Sequence, residues 1–201
     1  MEPKVAIRLF DHLSVHCGDR ELLLHSSSHA KEILCYLIVK RRGSVTRDTL
    51  AGLIASNSPD EKARKVLRQA LWQLRSGLSD ETHTCSGRLL SFGSGWAQFK
   101  QGGNVWLDVD DFEHAASSSK RDAYYLPPEP ERIARAVEIY RGDFLQGWHQ
   151  DWCERERERL KQILLEMLDL LVAHCEAQQQ LHSGMIYATR ALEAESVRIG
   201  P

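Results

Sequence analysis

No run in the sequence approaches the roughly 18 consecutive apolar residues of a membrane-spanning helix. The opening Met1-Glu2-Pro3-Lys4 lacks the apolar core of a secretory signal. A cytoplasmic protein with no membrane partner is the expectation. Cysteine is sparse: Cys17, Cys35, Cys85, Cys153 and Cys175 are odd in number and contain no C-x-x-C pair. That pattern suits reduced thiols better than a disulfide framework or a zinc knuckle. His12 and His16 stand four apart, but in a strand-like stretch where that spacing has no helical meaning. Neither a metal nor a cofactor is expected. The constellations of catalysis are also missing. No paired carboxylates, nucleophile elbow or phosphate loop occur in a supporting context, so an enzyme is not expected.

What is present is the composition of a globular protein, with 42% hydrophobic and 27% charged residues. Its net charge of −2 hides an asymmetry. Residues 1–105 hold 15 Lys and Arg against 10 Asp and Glu, a net of +5; residues 106–201 hold 11 against 18, a net of −7. From Lys40 to Ser76 there are nine basic and three acidic residues. A basic front is suited to a polyanion, and an acidic rear to another task.

The stretch from Asp60 to Ser79 shows where the basic charge is organised. Ala63, Val66, Leu67, Ala70, Leu71, Leu74 and Leu78 recur at helical three-and-four spacing, predicting one amphipathic helix. Its opposite arc holds Lys65, Arg68, Gln69, Trp72, Gln73 and Ser76. Arginine forks and glutamine amides can read base edges, although a charged helix face is most often only solvated.

The surroundings favour the first reading. Residues 4–24 alternate as short strands around a Gly18-Asp19 turn. Ser26-Ser27-Ser28 offers helix caps before the stripe Ile33, Leu34, Leu37, Ile38, and Gly43 is the expected stop of that helix. Thr46 is a candidate cap for a short helix over Arg47–Ala55, and Ser56–Asp60 reads as a turn. After the basic helix, Leu89–Phe92 and Trp96–Phe99 flank Gly93-Ser94-Gly95, predicting a hairpin. The rear half reads as helices. One begins at Asp108, a polar loop follows at Ser117–Asp122, and further helices cover about 131–140, 151–178 and 183–194. The Arg155–Arg159 alternation with glutamates predicts i,i+4 pairing on a wet face. Tyr140, Phe144, Trp148 and Trp152 are expected to pack the core of this half.

The order sheet, helix, helix, basic helix, hairpin across residues 4–107 resembles the winged-helix DNA-binding domain of the OmpR/PhoB type. Tyr140-Arg141-Gly142-Asp143-Phe144-Leu145, then Asp151-Trp152 and Glu154-Arg155-Glu156-Arg157-Glu158-Arg159-Leu160, resembles the bacterial transcriptional activator domain. That tetratricopeptide-like module follows such a winged helix in regulators similar to the Streptomyces antibiotic regulatory proteins. Val105–Glu113 resembles the connector between the two. The resemblance implies an α+β N-terminal winged helix-turn-helix (1–107) followed by an all-α tetratricopeptide-like domain (108–201). Two stretches depart from the pattern: Gln178-Gln179-Gln180 replaces a glycine turn, and Glu195-Ser196 replaces a closing Asp-Pro. The rear half shows one clear helix pair, where a repeat array stacks about three units, so a truncated module is expected.

The resemblance places base readers around Gln69 and Gln73, with Lys65, Arg68, Trp72 and Ser76 beside them. Arg64 and Arg75 are assigned to phosphate contact or pairing within the fold. In the hairpin, Arg88, Ser94 and Trp96 are candidates for minor-groove or phosphate contact, with a structural role favoured for Trp96. Trp72 has two readings of equal weight: contact with a thymine methyl or sugar, or packing against the wing or a partner subunit. Arg47 and the Lys40-Arg41-Arg42 cluster are read as touching the DNA backbone or as simply solvated. The implied protein is a sequence-specific transcriptional regulator, an activator recruiting RNA polymerase. Its implied partners are double-stranded DNA, the polymerase, and a second copy on direct repeats. The alternative is a protein-interaction module whose winged helix no longer binds DNA.

Overall fold

The computed structural model describes residues 5–22, 27–55, 60–80, 83–84, 89–100, 102, 104–122 and 129–196. The chain forms two compact units: Met1–Ile7 with Ser14–Trp106, and Arg8–Leu13 with Leu107–Pro201. The expected boundary near residue 107 thus has an exception, because six residues near the N-terminus belong to the second unit.

The first unit runs β1 (Val5–Arg8), β2 (Ser14–Cys17), β3 (Arg20–Glu21), α1 (Ser28–Val39), β4 (Val45–Thr46), α2 (Arg47–Ala55), α3 (Asp60–Gly77), β5 (Ser79–Asp80), β6 (His83–Thr84), β7 (Leu90–Phe92), β8 (Trp96–Phe99) and β9 (Val105–Leu107). One sheet has the order β3-β2-β1-β9. Its β2–β3 hairpin pairs Cys17 with Arg20 across Gly18-Asp19. Gly18 has φ of 61°, the left-handed conformation that a two-residue hairpin turn places on glycine. The second sheet, β4-β8-β7, contains the hairpin. Both the pairing of β9 with the first sheet and that of β4 with β8 escape sequence periodicity, since strands this short carry no alternation to read. The core lies under the sheets and against Ile33, Leu34, Leu37 and Ile38 of α1, all fully buried.

Ser27 is the cap of α1, accepting from the Ala30 amide. The expected glycine stop does not form: α1 ends at Val39 with Lys40 as its cap, and Gly43 lies beyond the last turn. The Arg41 guanidinium does the capping, donating from Nη1 to the Ile38 carbonyl at 3.3 Å. The turn expected at Ser56–Asp60 lies outside the described residues except for Asp60, which opens α3.

The second unit contains α4 (Asp108–Asp122), α5 (Pro130–Ile139), α6 (Asp151–Ala177) and α7 (Leu181–Ser196). Residues 117–122 are therefore helical, not the polar loop expected. Asp108, Asp110 and Asp111 in the first turn complement the positive helix end and support a helix that serines alone would weaken. Both α4 with α5 and α6 with α7 pack as pairs, so the module has two helix pairs where the sequence suggested one. On α7 no described side chain is fully buried, and Leu181, Met185, Ile186 and Leu192 are exposed.

The Arg8–Leu13 segment joins this unit through the buried carboxyl of Asp108. The Leu9 and Phe10 amides donate to Oδ2 at 2.7 and 3.0 Å, and the Val109 amide donates to Oδ1 at 2.7 Å. Phe10 lies against Phe112 and Tyr140, with centroids 5.1 and 4.6 Å away, and forms a bridge to Phe144. The 140–145 motif is thereby explained as packing. The Tyr140 hydroxyl donates to Asp143 at 2.9 Å, a Cβ on Gly142 would meet Asp11 at 3.2 Å, and Phe144 is fully buried. Trp148 and Trp152 meet edge to face at 6.4 Å but remain half-exposed, so they only border the core.

Arg157 corrects the expectation of a wet, glutamate-paired face. Its guanidinium donates to the carbonyls of Phe144, Leu145 and Trp148 at 3.0, 2.9 and 2.8 Å, organising the loop before α6. Arg159 forks onto Glu156 and also bonds Glu113. At the end of α6 the expected glycine turn is built with glutamine. Gln179 has φ of 56°, while its amide bonds Glu176 and the Gln180 amide bonds Cys175, the two bonds of a Schellman closure.

Two outcomes follow. Gln179→Gly should raise the unfolding free energy by about 0.5–1 kcal/mol in denaturant titration, since relief of the left-handed conformation exceeds the glycine entropy cost. Burial pushes the Asp108 carboxyl up to about 6 against the opposing pull of its three amide bonds. A raised carboxyl contributes stability that is fully present below its unfolded value near 3.8 and is lost as pH rises through 6. Relative to Asp108→Asn, the native chain should therefore lose stability, on the order of 1–3 kcal/mol, between pH 4 and pH 7.

Candidate nucleic-acid interface

α2 and α3 form the helix-turn-helix of the first unit. Thr46 starts α2, its hydroxyl accepting from the Thr49 amide at 3.2 Å. On α3 the predicted seam turns inward: Ala63, Leu67, Ala70, Leu71, Leu74 and Leu78 are buried, and Val66 is half-buried. Each buried leucine contributes about 1.5–3 kcal/mol, so the rotation of the helix about its axis is set by this seam. The opposite arc is left in water. Lys65, Arg68, Gln69, Trp72 and Ser76 are exposed, and among the described residues none of them has a side-chain partner. Lys62, Arg64 and Arg75 are also exposed, while the acids of α3 are confined to Asp60 and Glu61 in its first turn.

The structure separates one residue from the arc. Gln73 is half-buried, and its Oε1 accepts from the Ser27 amide at 3.2 Å and the Ser27 hydroxyl at 2.6 Å. It ties α3 to the cap of α1, a partner 46 residues away that helical spacing does not disclose. Arg75 lies over the Phe92 ring at 4.4 Å, joining α3 to β7. Arg64 reaches only the edge of an ion pair, 4.0 Å from Asp48, with both side chains exposed.

The hairpin closes as predicted, with Phe92 paired to Ala97 and the Gly93 amide donating to the Trp96 carbonyl at 3.0 Å. Ser94 stands exposed at its tip. Arg88 lies outside the described residues. Arg47 anchors the tip: its amide donates to the Gly95 carbonyl at 2.9 Å, and its Nη2 reaches the Gly93 carbonyl at 3.4 Å. Neither reading of Arg47 from sequence anticipated this role. The only available signal was its place directly after the Thr46 cap, at the end of the strand that pairs with β8. Trp96 folds back over Gly93, where an added Cβ would lie 2.2 Å from the indole nitrogen. That position requires glycine because of the close approach of the ring.

Chemically, the arrangement presents cationic and amide donors on one helix face beside a hairpin. No group of three or more His, Cys, Asp or Glu able to hold a metal occurs among the described residues. No helix of the described residues is long and apolar enough to cross a membrane.

Residues 107–198 match the family model of the bacterial transcriptional activator domain. That match places the bacterial transcriptional activator domain in the second half of the chain. Its fold is similar to that of Mycobacterium tuberculosis EmbR, solved in complex with a low-affinity phosphopeptide, with a TM-score of 0.66 and 15% sequence identity. The match covers 96% of this chain and 58% of that one, so the chain spans less than two thirds of that relative's length. The structural likeness supports an N-terminal winged helix-turn-helix followed by an all-α domain. No curated protein matches the sequence.

The wing geometry has a testable consequence. Gly93→Ala must displace the Trp96 ring, and should lower stability by about 1 kcal/mol. In a double-mutant cycle with Trp96→Ala the two effects should be non-additive, Gly93→Ala costing almost nothing once the indole is gone.

Proposed function

We propose that the chain is a sequence-specific DNA-binding regulator of transcription, acting in the cytoplasm. The observation that carries this reading is the outward arc of α3, where Arg68 and Gln69 stand between other cations with no side-chain partner among the described residues. Packing supports the arc from behind through the leucine seam and from the sides through Ser27 and Phe92. Gln69 is suited to a bidentate contact with adenine, and Arg68 to guanine or phosphate. Lys65 and Ser76 flank them, with Arg64 and the exposed Ser94 at the hairpin tip contacting phosphates. Gln73 and Arg75 serve as struts that hold the arc. The activator-domain match over residues 107–198 supports a recruiting role for the second unit, with RNA polymerase as partner and a second copy bound alongside on direct repeats. The net of −7 over residues 106–201 argues against that part as the DNA surface.

Selection of bound duplexes from a random pool tests the reading. A preferred sequence should emerge, and affinity for it should fall about a thousandfold or more from 50 to 200 mM salt if about six phosphates are contacted. Arg68→Ala combined with Gln69→Ala should abolish the preference while leaving weak, salt-sensitive binding. A double variant that keeps the same preference would show that the reading face lies elsewhere.

A further inference from the structure

Trp72 is the largest side chain on the outward arc and is 66% exposed. It has no ring, cation–π or hydrogen-bond partner among the described residues. Of its two readings from sequence, packing against the wing finds no contact among the described residues, where Arg75 of α3 lies over Phe92 of β7. An exposed indole of this size offers a large apolar contact surface, and its surroundings indicate what it is suited to meet. Arg68 and Gln69 precede it by four and three residues, and Arg75 and Ser76 follow it by three and four, so all border it on the helix surface. A protein surface seated on Trp72 would have to desolvate this cationic rim, whereas a nucleic-acid duplex matches it.

A duplex major groove offers one apolar group at its base edges, the C5 methyl of thymine. Gln69 and Trp72 are about 4.5 Å apart along the helix axis, close to the roughly 3.4 Å between successive base pairs. Their targets are then neighbours. Resting on the proposed DNA-reading role of α3, we propose that Trp72 is a specificity-determining residue that reads a thymine methyl. That thymine stands one or two base pairs from the adenine addressed by Gln69. The preferred site would accordingly contain adjacent A·T pairs under the middle of α3.

Deoxyuridine isolates the contact, because it differs from thymidine only by the methyl. Using the full chain and the selected duplex, each thymine is replaced singly by deoxyuridine and affinity is measured by fluorescence anisotropy. One replacement should weaken binding about fourfold, the effect of losing one buried methyl group, and the others should have no effect. Trp72→Ala should bind the thymine and uracil duplexes equally, and Trp72→Phe should retain part of the discrimination. Sensitivity that persists in Trp72→Ala overturns the assignment, as does a wild-type chain indifferent to every replacement. In both cases DNA reading by α3 stands. A change of oligomeric state in Trp72→Ala with the uracil discrimination intact assigns the indole to a protein contact and also overturns it. Absence of any duplex binding removes both the assignment and the reading on which it rests.

Discussion

The burial of one face of α3 is the constraint on which the candidate interface depends. Leu67, Leu71 and Leu74 cannot leave the core without exposing several kcal/mol of apolar surface, so the helix has one rotational setting. That setting places Lys65, Arg68, Gln69, Trp72 and Ser76 in water together. The polar contacts then refine it. Ser27 holds Gln73 at one side, and Phe92 receives Arg75 at the other. The outward arc is therefore a consequence of hydrophobic packing, with polar struts restricting its slide and tilt.

Helical periodicity made this much legible in advance. The seam of α3, the caps at Ser27 and Thr46 and the glycine tip of the hairpin are local features, written within a few residues of where they act. What was not legible is long-range. Gln73 looked like a base reader because its position on the helix wheel says nothing of Ser27. Arg47 looked like a surface cation because its acceptor carbonyls, at Gly93 and Gly95, lie almost fifty residues on. Arg157 looked paired to its glutamate neighbours, yet three loop carbonyls outcompete them. In each case a side chain with several donors or acceptors found partners that only the fold supplies. Local composition also misled at Ser117–Asp122, where aspartates a few turns earlier offset the weak helix preference of serine.

The second unit shows a different economy. Its activator-domain motif consists mainly of residues that hold its own loop and aromatic cluster. Tyr140, Gly142 and Phe144 are engaged with the Arg8–Leu13 segment, which the Asp108 carboxyl draws in through two amides from the far end of the sequence. Motif strength here therefore reports on architecture.

The central claim, that the outward arc of α3 is the surface covered by DNA, is tested most directly by hydroxyl-radical footprinting of the full chain with and without its selected duplex. The account predicts that side chains from Lys65 to Ser76 on the exposed arc lose reactivity on binding, Trp72 foremost, while the exposed Leu181, Met185 and Leu192 of α7 remain unchanged. Protection confined to the second unit, with Trp72 as reactive as in the free chain, would contradict it.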